Sequence, residues 1–106
     1  MNFKLALAAA CLSAAALPAH AQDPDLGRNL AATCANCHGT HGRSFGGNES
    51  LAGEPRDTLL RKLNAFISGE KPATIMHQIA RGYTPEQLAL IAEFFAAQKH
   101  SEGAPQ

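Results

Sequence analysis

The chemistry in this chain is concentrated in Cys34-Ala35-Asn36-Cys37-His38. Two thiols three positions apart, at the end of a helical pattern, can each add across one vinyl group of a haem. The histidine directly after the second thiol is then held under the iron. This Cys-x-x-Cys-His run is the attachment signature of haem c. Neutral imidazole is a good iron ligand, and the covalent tether removes most of the entropy cost of holding the group. The motif therefore predicts one covalent haem c, with thioethers at Cys34 and Cys37 and His38 as an axial ligand. Two other chemistries compete for the same residues. A thioredoxin-like dithiol needs a strand before its helix, and the pattern contains none. A zinc site could recruit His38 and His41, but four ligands within eight residues leave little backbone to wrap a tetrahedron.

The second axial position falls to Met76. Met1 belongs to a segment read below as cleaved, which leaves Met76 as the only other methionine of the chain. Methionine at helical spacing is more often core filler, but a thioether opposite a histidine is the ligation that raises a cytochrome's potential. Met76 lies 38 residues beyond His38, enough chain to pass around a haem edge. Its neighbour His77 points about 100° away on a helix, so only one of the two can address the iron. His77 is read as a solvated surface residue, as are His41 in a glycine-rich loop and His100 in the tail.

Residues 1–21 are read as a secretory signal peptide cleaved before Gln22. Lys4 supplies the positive end, Leu5 to Leu17 the apolar run, and Ala19 and Ala21 the small residues of a cleavage site. This run of thirteen residues, broken only by Ser13, falls short of the roughly 20 a membrane-spanning helix needs. Three alanines before Cys11, and an apolar run continuing past it, argue against a lipid-modified cysteine. Export implies a periplasmic location and a mature chain without a membrane span. From Gln22 onward eight Lys and Arg face nine Asp and Glu, so charge offers no footprint for nucleic acid. A chain this short buries only about 60 % of its unfolded surface and usually needs a cofactor or cross-link to complete its core.

The elements that must position these residues are all helical. Asp23-Pro24 reads as a cap and first turn, with Leu26, Leu30 and Cys34 on one face. Five glycines between 39 and 53 mark a long loop, of a kind usually packed around something. Pro55 opens a helix with Leu59, Leu63 and Ile67 on one face and Gly69 as its C-cap. Pro72 to Arg81 reads as a shorter helix closed by Gly82. Thr84-Pro85-Glu86-Gln87 is a capping box opening a last helix to Gln98, which buries Leu88, Ile91, Ala92 and Phe95. The expected fold is all-α, about four helices wrapped around one haem, spanning 22–99 with a flexible tail over 100–106.

These features resemble the class I c-type cytochromes across nearly the whole mature chain: a first helix with Gly27, the motif at Cys34 to His38, Met76, and a closing helix. The resemblance implies that the first and last helices cross at Gly27, with Phe94 or Phe95 against the contact. A narrower resemblance, to the cytochrome subunits of flavocytochrome c sulfide dehydrogenases, rests on Cys37-His38-Gly39-Thr40-His41-Gly42, Ser68-Gly69-Glu70, Thr74-Ile75-Met76 and Ala80-Arg81-Gly82-Tyr83. Many class I members orient the axial histidine with the carbonyl of a proline soon after the motif. Here no proline occurs between His38 and Pro55, so a carbonyl of the 39–48 loop is expected to take that role.

The resemblance implies an electron carrier, with no catalytic residues of its own, that accepts electrons from a flavoprotein sulfide dehydrogenase subunit. Two alternatives remain open: a freely diffusing carrier of the c4 or c553 type serving other periplasmic redox proteins, and a five-coordinate gas-binding haem protein if Met76 does not ligate. Consistent with the first two, the sequence shows no nucleophile or acid–base pair.

Overall fold

A computed structural model describes residues 23–100 of the chain. The segment read as a signal peptide, 1–21, and the tail beyond His100 lie outside these residues. Four α-helices follow in order: α1 Leu26–His38, α2 Arg56–Ser68, α3 Met76–Arg81 and α4 Pro85–Ala96, with one 3₁₀ turn at Thr40–Gly42 after α1. Among the described residues there is no strand, and no helix is long and apolar enough to cross a membrane. The architecture is the all-α one that the periodicity predicts.

Two helix starts differ from expectation. The Asp25 N–H donates to Asp23 Oδ1 at 2.9 Å, and the Leu26 N–H to the Asp23 carbonyl at 3.1 Å. Asp23 thus caps a turn through Pro24, and α1 begins only at Leu26, with Asp25 at the N-cap. The helix read over Pro72–Arg81 begins at Met76, because Ile75, the N-cap at φ −138° and ψ −24°, is neither helical nor extended, and Pro72 to Ile75 stay outside the helix. At α4 the capping box forms as read: Gln87 N–H donates to Thr84 Oγ1 at 3.1 Å, and Thr84 N–H to Gln87 Oε1 at 2.9 Å. The helix ends at Ala96, two residues before Gln98, whose amide donates back to the Phe94 carbonyl at 2.8 Å.

Packing follows from which residues are small. α1 lies across α4, and a Cβ on Gly27 would stand 3.0 Å from the Leu90 carbonyl oxygen and 3.7 Å from Phe94 Cβ. The helices therefore approach at Gly27 with Phe94 at the contact, as the family resemblance implies. α2 packs on α4, and α3 on α2. Ala31, Leu59, Ile91, Ala92 and Phe95 form the buried cluster, with Leu30, Cys34 and Phe94 against it. Ala31 escapes a hydrophobic-face reading because its methyl is too small to mark one; it is buried because α1 comes so close.

Phe95 anchors this cluster at 2 % exposure. Its ring meets Phe94 edge-on, with centroids 5.3 Å apart, and rests against Gly42. Gly42 holds φ +79°, and a Cβ there would stand 2.7 Å from the Phe95 ring; both facts require glycine. Phe95→Ala is expected to cost about 3–5 kcal/mol, as for other buried aromatics, read as a lower denaturant midpoint at unchanged slope.

Candidate haem site

The four residues singled out for chemistry converge on one cleft. α1 supplies Thr33, Cys34, Cys37 and His38; α3 and the residue before it supply Ile75, Met76 and Ile79. Leu59, Leu63 and Phe66 of α2 and Ile91, Ala92 and Phe95 of α4 complete it, with Asn48, Glu49 and Leu51 from the loop after the 3₁₀ turn. The cleft encloses about 140 Å³ between walls that are mostly apolar. Leu59, Ile91, Ala92 and Phe95 belong to both the core cluster and the cleft wall. The core is thus built around the space it encloses.

Each chemical residue is placed by a local cause. Cys34 packs half-buried against the core, and Cys37, three residues on, is exposed at the last turn of α1. Burial holds the Cys34 thiol above its ordinary value, so without haem it stays neutral. Met76 is the first residue of α3, with Ile79 one turn on lining the same cleft. α3 itself is held to the end of α2 by Arg81, whose Nε and Nη2 donate to the Ile67 carbonyl at 3.3 and 3.0 Å. That carbonyl is one of the acceptors a helix end leaves without an internal donor.

His38 carries the most informative hydrogen bond. Its Nδ1 lies 2.6 Å from the Glu49 carbonyl oxygen. A carbonyl only accepts, so Nδ1 holds the proton and the lone pair resides on Nε2, the tautomer a metal-binding histidine needs. The acceptor falls one residue past the expected 39–48 loop. The reason is the loop's path: the Leu51 and Ala52 N–H groups both bond the Gly42 carbonyl, which brings 48–49 back under the end of α1. There Asn48 Nδ2 donates to the Cys37 carbonyl at 3.0 Å.

His77 differs from its reading as a solvated residue. It is half-buried, and its Nδ1 is enclosed without a hydrogen-bond partner. It is not among the residues lining the cleft, unlike its neighbour Met76, in keeping with the roughly 100° between successive helical side chains. His41 is exposed, in the left-handed conformation at φ 56°, with its ring 6.4 Å from that of Phe94. His100 is exposed beside Gly53. Sequence reasoning did not identify Lys62 or Glu54. Lys62 Nζ donates to Glu49 and, at 2.7 Å, to Glu54 Oε1 beside the cleft. Burial alone would lower the lysine, but these two bonds hold it above its usual value. The Lys62 bond in turn holds Glu49 below the ordinary carboxylate range.

Residues 24–99 match the family model for cytochrome c. The chain belongs to the cytochrome c family. It is 39 % identical over 69 residues to the cytochrome subunit of sulfide dehydrogenase from Chlorobaculum tepidum, covering 65 % of this chain and 63 % of that protein. It is 36 % identical over 87 residues to cytochrome c4 of Pseudomonas aeruginosa, covering 80 % of this chain and 43 % of the relative. Cytochrome c-554(548) of Halomonas halodenitrificans is 29 % identical over 83 residues and is covered along 100 % of its length. The chain thus spans less than two thirds of the first two relatives. As a class I c-type cytochrome it carries covalent haem c, and its one Cys-x-x-Cys-His run accounts for one haem. The apolar cleft, with two thiols, an imidazole and a thioether on its walls, fits that group.

Proposed function

We propose that this cytochrome is an exported electron carrier that accepts electrons from a flavoprotein sulfide dehydrogenase in the periplasm, after cleavage of residues 1–21. Cys34 and Cys37 would attach its haem, and His38 Nε2 and the Met76 thioether would ligate the iron. The observation that carries this reading is the His38 Nδ1 bond to the Glu49 carbonyl, which leaves Nε2 free to coordinate. When bound, the haem supplies a one-electron ferric–ferrous couple.

The chain's own residues do the rest. Cys34 and Cys37 keep the group on the chain, and His38 and Met76 set ligand strength from α1 and α3. Leu59, Leu63, Phe66 and Ile91 exclude water and so hold the local dielectric low. The sulfide dehydrogenase assignment is supported by the name of the Chlorobaculum tepidum relative. The cytochrome c4 relative favours a second reading, a freely diffusing carrier. Stopped-flow reduction separates the two. The proposed role expects sulfide to reduce the haem only when a flavin-containing sulfide dehydrogenase is added, and expects the two to co-elute on gel filtration. Equal reduction by unrelated donors without a complex would establish the free carrier.

A further inference from the structure

We propose that Lys62 is the positioning residue of the axial histidine: it grips the Glu49 carboxylate and so keeps the Glu49 backbone carbonyl against His38 Nδ1. The inference rests on the reading of His38 as an iron ligand. Glu49 sits on a segment with little else to hold it. Gly46 and Gly47 have open space where a side chain would be, and Phe45 between the 3₁₀ turn and Glu49 is 97 % exposed. The neighbouring ties are Ser44 N–H to Ser50 Oγ at 3.0 Å and Asn48 Nδ2 to the Cys37 carbonyl at 3.0 Å. Backbone pairing resumes only at Leu51.

Glu49 is free to rotate about both backbone dihedrals, unlike a proline, so its carbonyl direction must be set from outside. Lys62 supplies that constraint. It projects from the cleft-facing side of α2, near Leu59 and Phe66, with its side chain 28 % exposed. Its ammonium also bonds Glu54 Oε1 at 2.7 Å, at the foot of α2. The ammonium is therefore fixed at both ends, and its bonds are charge-assisted, roughly twice as strong as neutral ones. α2 thereby reaches across the cleft rim to orient a ligand on α1.

The test is the exchange of the His38 Nδ1 proton with solvent, followed by NMR in the holoprotein, together with the reduction potential. Lys62→Gln and Glu49→Gln are expected to speed exchange on the order of tenfold, the scale on which outer ligand partners act. Lys62→Arg should restore the wild-type rate, since guanidinium can still span both carboxylates. If Lys62→Gln lowers the potential while exchange stays at the wild-type rate, Lys62 acts by its charge alone and the proposal fails. It also fails if Lys62→Arg exchanges as fast as Lys62→Gln. Loss of the underlying reading shows separately: wild-type His38 ring resonances without hyperfine shifts would mean that His38 does not ligate the iron at all.

Discussion

Met76→Ala is expected to open the iron, so that carbon monoxide and cyanide bind within the mixing time where the wild type excludes them. The reduction potential should fall by on the order of 100 mV or more, inside the roughly 0.8 V that axial ligation spans. Met76→His should stay six-coordinate yet also fall in potential, because imidazole stabilises ferric iron more than a thioether does. The physical basis is placement. Met76 opens α3 and lines the cleft, and the Arg81 bonds to the Ile67 carbonyl hold that helix on α2. His77→Ala is the control. His77 does not line the cleft, so spectrum and potential should match the wild type. An unchanged Met76→Ala spectrum alongside an open haem in His77→Ala would make the protein a bis-histidine cytochrome.

The paired change Cys34→Ala with Cys37→Ala is expected to release the haem wholly into acid–acetone, while wild-type haem stays with the polypeptide through denaturing electrophoresis. The haem-free chain should lose its cooperative thermal transition. Four residues of the buried cluster, Leu59, Ile91, Ala92 and Phe95, also line the cleft, so removing the group exposes the core itself. A small domain's net stability of about 5–15 kcal/mol cannot absorb that loss, because the folded state is held by whatever binds it and not the unfolded chain. A cooperative melt of the haem-free double variant near the wild-type temperature would show that the helices stand without their filler.

Short-range features were fully legible in the sequence. The Cys34–His38 run, the Thr84/Gln87 capping box and the buried face of α4 depend on residues within about one or two helical turns, where spacing alone decides which side chains share a face. The all-α architecture followed from the same periodicity, and the approach of α1 to α4 at Gly27 from the family resemblance.

Contacts that close only through the fold were not legible. The acceptor for His38 lies 11 residues along the chain, and Lys62 meets Glu49 from 13 residues away; neither separation matches any local period. The late start of α3 and the burial of His77 likewise depend on how α3 docks on α2. By itself the sequence determined the all-α class and marked the residues proposed to carry the chemistry, because a haem-attachment motif is written in adjacent positions. Only the tertiary structure decided what orients them, because hydrogen-bond partners brought together by loop closure share no spacing rule that a linear reading could detect.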